Sequence, residues 1–461
     1  MLVGAVMVPH PPIAAAEIGK GEERKIQTTL DSFRKTAAFI AEKHPDTIIV
    51  ITPHAVMYQD WFNVSKGDSA YGDFGRYRAE QVSFHAEYDT DFVEQLDQLC
   101  RRESFPAGTA YDNDPLLDQG TMVPLYFINQ AYSDYRLVRI GLSGLPLSMH
   151  YRFGMLIQKI CEADDKRYLI AASGDLSHCE KEDGPYGFHK EGPEYDARIM
   201  DDMEHAAFGN LLSYSDAFLD RAQECGHRSF TILGGILDRT AVKAEKLSHE
   251  ATFGVGYGFV LYEPAGSDET RNFLEQYEEA VKKACSHAAE AADAYVSLAR
   301  HSIQEWTTQR RKLSVPSSLP KEMLEKQAGV FVSIHEHGRL RGCIGTIGPC
   351  RKNVAEEIIA NAISACSRDP RFEPVEESEL PYLEISVDEL FEPEEIEDPS
   401  MLDVKRYGVI VSAPDGRRGL LLPNLEGVDT IEEQISIARS KGGISEYEPY
   451  MLERFEVVRH A

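Results

Sequence analysis

No stretch of about 18 consecutive apolar residues occurs in this chain, so no helix is expected to cross a bilayer. The start, Met1-Leu2-Val3-Gly4, enters a strand-like run with no basic leader, and a cytoplasmic protein is expected. The eight cysteines, at 100, 161, 179, 225, 285, 343, 350 and 366, make no Cys-x-x-Cys pair and no zinc-finger spacing. Their thiols are expected to be reduced. Positive charge is scarce: 48 Lys+Arg stand against 76 Asp+Glu, and the net charge of -28 repels phosphate backbones. No nucleic-acid partner and no membrane are therefore expected. What remains is a soluble-type composition over 461 residues, too long for one ordinary core and suggestive of two or three domains.

The apolar run Tyr168-Leu169-Ile170-Ala171-Ala172 reads as a buried strand that breaks off into Ser173-Gly174-Asp175-Leu176-Ser177-His178. Leu2 to Val8 runs in the same way into Pro9-His10-Pro11-Pro12, and Thr47 to Ile51 into Thr52-Pro53-His54. Between the latter two, Ile26, Leu30, Phe33, Ala37 and Ile40 fall at helical spacing, which makes a βαβ unit. Further strand-like runs at 136–140 and 253–261, with dense apolar helices at 155–160 and 230–237, extend an α/β domain over residues 1–262. In open α/β sheets the ligand crevice lies beyond the carboxyl ends of the strands, where all three histidines stand. Singly, each histidine has a plain reading as a turn cap or a partner of a backbone carbonyl. Together they suit a metal with a nearby acid/base: iron that holds both a chelating substrate and O2 wants two histidines and a carboxylate on one face. His10 and His54 supply the imidazoles, and the carboxylate must come from later in the chain.

Pro9-His10-Pro11-Pro12, Thr52-Pro53-His54, Leu117-Asp118-Gln119-Gly120-Thr121-Met122-Val123-Pro124-Leu125 and Ser173 to His178, in that order, resemble the class III extradiol ring-cleavage dioxygenases, the LigB-like proteins, and their Memo relatives. The resemblance implies Fe(II), or another divalent first-row metal, held by His10 and His54, with His178 as acid/base, and a catechol-like aromatic diol and O2 as substrates. It places the third ligand in Gln223-Glu224-Cys225-Gly226-His227, where the dioxygenases have a glutamate and Memo relatives a Cys-Gly pair. Glu224 is the expected ligand, as a hard oxygen donor suited to Fe(II), with Cys225 as the alternative; on a helix only one of the two faces the site. Gln119 stands where many relatives carry a second proton-handling histidine, and it cannot titrate. His189 is a candidate substitute. Asp175 is read either as an orienter of the ligands or as a carboxylate closing the strand-exit turn.

Glu263-Pro264-Ala265-Gly266-Ser267-Asp268-Glu269 collects turn formers and charge, so a linker is expected over 263–271. Leu274, Tyr277, Val281, Ala284, Ala288, Tyr295, Ala299 and Ile303 then form the packing stripe of one long helix. Val330, Val332 and Ile334 alternate with Phe331, Ser333 and His335 in a strand that turns at Glu336-His337-Gly338 into Arg339-Leu340-Arg341-Gly342-Cys343, a hairpin. The acidic run from 373 to 403 reads as a solvated face and loop. Gly338 to Thr346, Asp369-Pro370-Arg371-Phe372 and Gly419 to Val428 resemble the AMMECR domain, so residues 272–461 are expected to form a smaller α+β domain. The two-domain combination resembles the AmmeMemoRadiSam arrangement and implies a radical-SAM protein as partner in trans. Cys343, between glycines and next to arginines, is a candidate functional thiol whose plainer reading is a buried structural cysteine. Assembly into a homo-oligomer is left open. The preferred function is Fe(II)- and O2-dependent cleavage of an aromatic diol; the rivals are a metal-dependent non-oxygenase working with a radical-SAM partner, and a non-catalytic metal or redox binding protein.

Overall fold

Strands β1 (Leu2–Val8), β2 (Thr47–Thr52), β3 (Arg136–Gly141) and β4 (Tyr168–Ser173) are almost entirely buried, which is why their sequences are near-continuous apolar runs and not alternating ones. Successive residues still point to opposite faces. Met7, Ile49, Ile51, Ile170 and Ala172 enter one core, and Val6, Val8, Ile48, Val50 and Ala171 enter the other. In this computed structural model, which describes residues 1–111, 115–425 and 427–461, the four strands pair in parallel in the order β3-β2-β4-β1. Two antiparallel strands, β5 (Thr240–Glu250) and β6 (Tyr257–Ser267), complete the sheet, with β6 against β1.

Parallel pairing puts the carboxyl ends of β1, β4 and β2 at one edge, and the register aligns Val8 with Ser173 and Ile51 with Ala172. The exits carrying His10 and His54 thus flank the exit carrying Asp175 and His178. Helix α1 (Gln27–Lys43) covers one face through Leu30, Phe33 and Ile40, beside α2 (Gln119–Ile128). Helices α3 (Leu147–Ala163) and α4 (His227–Ile236) cover the other. They touch backbone to backbone: a Cβ on Gly235 would lie 1.9 Å from the Tyr151 carbonyl oxygen, and one on Gly154 would lie 2.1 Å from that of Ile232.

The chain forms two compact units, Met1–Tyr277 and Glu278–Ala461. The segment expected as a linker, 263–271, is instead part of the first unit. Glu263, Pro264 and Ser267 pair with Lys243, Val242 and Thr240 on β5, and Glu269–Arg271 is a short 3-10 turn whose Glu269 binds Arg239 at 2.9 Å. Pro264 is tolerated because the pairing of β6 with β1 ends at Tyr262, so its missing N–H faces no partner strand. Phe273, Leu274 and Tyr277 then pack on the first core. The apolar stripe belongs to two helices, Phe273–Ala291 and Ala294–Gln309, because Asp293 caps the second through the amides of Tyr295 and Val296.

The second unit holds two four-stranded antiparallel sheets. The expected hairpin is Gly329–Glu336 with Arg339–Gly345, and Leu383–Leu390 and Val457–His460 continue its sheet. Helices Ala294–Gln309 and Val354–Ser367 share its core. The other sheet, Glu394–Ile396, Met451–Phe455, Gly408–Ser412 and Arg418–Leu421, packs on Ile431–Lys441. The acidic run is not wholly solvated: Asp388 is buried against Arg459 at 2.8 Å, and Glu389 lies 2.7 Å from Lys326. Glu426, within the 419–428 motif, lies outside the described residues. No helix among the described residues is long and apolar enough to cross a membrane.

Candidate functional site

The three strand exits converge on one cluster. His10 Nε2 lies 2.9 Å from His54 Nε2 and 3.6 Å from Cys225 Sγ, and one donor atom from each of the three residues falls within 4.8 Å of the others. Asp175, His178 and Cys225 form a second such group, so Cys225 stands between the histidine pair and the acid/base candidate. His10 is fully buried, Cys225 is half-buried, and His54 opens to solvent at the mouth.

Several long-range contacts build this arrangement. The Asp175 carboxylate accepts the main-chain N–H of His10 at 2.8 Å, which joins the β1 and β4 exits. Asp118 caps α2 through the Thr121 amide at 3.0 Å and also accepts the Thr52 hydroxyl at 2.6 Å, which ties the helix to the end of β2 just before His54. Gly174 and Gly226 bring the β4 exit against the turn before α4, since a Cβ on Gly174 would lie 2.1 Å from the Gly226 Cα. That contact places Cys225, whose Sγ accepts the Asp175 amide at 3.3 Å.

Burial drives every titratable group of the cluster toward its neutral form. It lowers His10 well below the usual histidine value, with the neighbouring His54 adding to the effect. Burial also lowers His54 and His178, although nearby carboxylates, Asp118 and Asp175, pull the other way. It lifts Asp175 to about 6 and the Cys225 thiol well above its usual range. Two imidazoles and a thiol so close together match the donor chemistry of a divalent first-row ion, with the thiolate shifting preference toward softer metals. Beside His54 lies a cavity of about 350 Å³ lined by Tyr71, Arg76, Tyr77, Gln119 and Met122 among others.

Glu224, expected as the third ligand, is not in this group. Glu224 and Cys225 sit in a non-helical turn, where the 100° argument for neighbouring helical residues does not apply. The Glu224 carboxylate folds back to accept the first helical amide of α4, that of His227, at 2.5 Å. Burial raises it to about 7. The alternative, Cys225, is the one whose sulfur lies within 4.8 Å of the donor atoms of His10 and His54. His189 is also elsewhere, on an exposed loop with Nδ1 2.8 Å from the Arg221 carbonyl oxygen at the end of a short helix. Gln119 does reach the site: its amide nitrogen is 3.4 Å from His54 Nε2, and its carbonyl oxygen accepts the Tyr77 hydroxyl.

Cys343 belongs to the second unit and to neither metal-type group. Its Sγ accepts the Ser333 hydroxyl at 3.2 Å, and its amide donates to Asp369, which Arg371 clasps at 2.7 Å. The sequence neighbour Arg341 is occupied by Glu379 at 2.6 Å. Arg371 also donates to the Cys343 carbonyl oxygen at 3.1 Å.

Three contributors escaped the sequence reading. Tyr186 lies over His178 with ring centroids 5.1 Å apart, Tyr77 holds Gln119, and Ser173 contacts His10. Ser173 had a signal, being the polar residue that ends an apolar strand. Tyr77 and Tyr186 had none.

Residues 4–260 match the family described as the catalytic LigB subunit of aromatic ring-opening dioxygenase, and residues 296–460 match AMMECR1. A protein of Clostridium acetobutylicum is 41% identical across 100% of this chain and 99% of its own length. A Thermotoga maritima protein is 46% identical over 36% of this chain and 96% of its own. Among solved structures, an uncharacterized protein from Pyrococcus horikoshii is 30% identical, covering 37% of this chain and 91% of its own with a TM-score of 0.34.

Proposed function

Since this chain belongs to the LigB family over residues 4–260 and to the AMMECR1 family over residues 296–460, we propose that its first unit is a metal-dependent oxygenase of extradiol type acting on a catechol-like diol. The observation that carries this reading is the convergence of His10, His54 and Cys225 beside the open cavity at His54 and Gln119. These three residues would hold the metal, with Fe(II) the expected ion. When bound, it supplies positions for a chelating diol and for O2 and a path for electron density between them. Both oxygen atoms enter the ring-opened product, so no outside reductant is required.

The chain's own groups prepare that chemistry. His178 is kept neutral by burial and stands next to Asp175, so its imidazole is free to accept a proton from a diol hydroxyl and return it to product. Gln119 orients without titrating, and Tyr77 fixes its amide so that the nitrogen end faces His54. Tyr186 lies beside His178, with ring centroids 5.1 Å apart. The combination of the two domains suggests a radical-SAM protein acting in trans as a partner, and association into homo-oligomers is compatible with the reading.

The presence of a thiol in place of a carboxylate favours one rival, a metal or redox binding protein without oxygenase activity. An oxygen electrode with anaerobically Fe(II)-loaded protein and a panel of catechols separates them. Uptake stoichiometric with ring-opened product, abolished in His178→Gln while metal is retained, is the expected result. Stoichiometric metal with no uptake for any diol would transfer the protein to the rival reading.

A further inference from the structure

We propose that Ser173 is a positioning residue that holds the proton of His10 on Nδ1 and thereby aims the Nε2 lone pair into the His54–Cys225 cluster. The inference rests on the metal-binding part of the reading above and concerns a residue outside the set that touches the ion.

Ser173 closes β4 and is fully buried, as is His10, so no water competes for either side chain. Ser173 Oγ lies 2.6 Å from the Gly120 carbonyl oxygen, which has no proton to give; the serine is therefore the donor there. A hydroxyl has one proton. At its second contact, 2.9 Å from His10 Nδ1, Ser173 can only accept, and Nδ1 must carry hydrogen. A ring nitrogen that ligates a metal must be unprotonated, so a proton held on Nδ1 leaves Nε2 as the nitrogen with a lone pair to offer. That nitrogen is the one 2.9 Å from His54 Nε2 and 3.6 Å from Cys225 Sγ.

The opposite tautomer would face a serine oxygen with a lone pair, or force the serine to abandon a buried carbonyl. Gly120 makes the relay reach both histidines. A Cβ there would lie 2.4 Å from Thr52 Oγ1 and 3.3 Å from His54 Cδ2, so only glycine lets the first turn of α2 come close enough to offer its carbonyl to Ser173. Metal-ligating histidines commonly depend on a partner at the other ring nitrogen for tautomer and orientation, and loss of that partner weakens binding by about 10- to 100-fold.

The test uses the full chain with 15N-labelled histidine, free of metal, the His10 signals being identified by their absence in His10→Gln. Long-range 1H–15N correlation is expected to show His10 protonated at Nδ1 in the wild type, and a mixed or reversed tautomer in Ser173→Ala. Anaerobic competition titration with Fe(II) is expected to show affinity weakened by about 10- to 100-fold in Ser173→Ala. Ser32→Ala, which deletes a buried hydroxyl on α1 paired with Ser248 on β5, controls for the loss of a buried hydrogen bond and should leave affinity unchanged. Thermal unfolding confirms that each variant is folded. His10 protonated at Nε2 in the wild type overturns the proposal, as does Ser173→Ala with unchanged tautomer and affinity. If the wild type binds no Fe(II), the metal reading falls, while the NMR result still decides the tautomer by itself.

Discussion

Replacing Gly174 by alanine tests whether the backbone contact between the β4 exit and the Cys225-Gly226 turn is what assembles the site. The new Cβ would lie 2.1 Å from the Gly226 Cα, 3.1 Å from the Gly226 nitrogen and 3.1 Å from the Phe230 ring. Carbon atoms in contact settle at about 3.5–4.0 Å, so the two segments must part by roughly 1.5 Å. The nearest obstacle is backbone, which no rotamer change can move aside. Gly226 is itself closely packed, since a Cβ on it would lie 2.4 Å from the Phe230 ring and 2.9 Å from the Asp175 carbonyl oxygen. Overpacking of this kind costs about 1–3 kcal/mol, and the upper end applies where backbone meets backbone. For a unit spanning Met1–Tyr277, with an unfolding entropy of roughly 0.6 kcal/mol/K, the upper end corresponds to a fall of roughly 5 °C in its unfolding temperature. Cys225 Sγ is displaced with the turn, away from its 3.6 Å contact with His10, and metal affinity should fall by more than about tenfold. Differential scanning calorimetry and anaerobic Fe(II) titration read the two effects. Gly348→Ala, where the Cβ meets nothing within 4 Å, is the control. A Gly174→Ala protein with wild-type melting and wild-type metal affinity would refute the account of how Cys225 is placed.

Three further outcomes are expected. Cys225→Ser should lose tight metal binding, whereas Glu224→Ala should keep it within a few-fold and lose about 1 kcal/mol through the missing bond to the His227 amide; the reverse pattern in metal analysis would restore Glu224 as ligand. A fragment ending at residue 262 should melt well below one ending at 277, because it lacks the remainder of β6 and the packing of Phe273, Leu274 and Tyr277, and equal melting temperatures would contradict that. In the second unit, the Arg371 guanidinium holds the Asp369 carboxyl down at about 2, below its unfolded value of 3.8. The folded-state value is depressed, so this stabilisation is present above about pH 3.8 and lost as pH falls toward 2. Asp369→Asn should therefore melt lower than wild type at pH 7, with the difference closing between pH 4 and 2; a pH-independent difference would show that the charge is not responsible.

Much of the fold was legible because its signals are local. Unbroken apolar runs can be read from a few consecutive residues, and such strands must be covered on both faces, which in an α/β chain implies parallel pairing and a common edge for their exits. His10, His54 and His178 could be assigned to that edge without coordinates. The hairpin at 329–345 was legible for the same reason, from alternation and a turn.

What only the tertiary structure decided lies where the chain is neither helix nor strand, or where partners come from distant segments. The choice between Glu224 and Cys225 was argued from helical geometry, but the two residues occupy a turn whose path is set by Gly174 meeting Gly226 across the sheet edge. Residues 263–267 carry turn formers, yet β5 extends past the end of β1 and offers them hydrogen bonds as the continuation of β6, and pairing prevails over local preference. Ser173 meets Gly120 across 53 positions of sequence, and Arg371, 28 positions away, binds the Cys343 carbonyl oxygen while the sequence neighbour Arg341 is taken by Glu379. Periodicity records which face of an element is buried. It carries no information on what waits at that face, because the direction of a side chain in a turn, and the identity of the group it meets, are set by backbone contacts that form only when the whole unit closes.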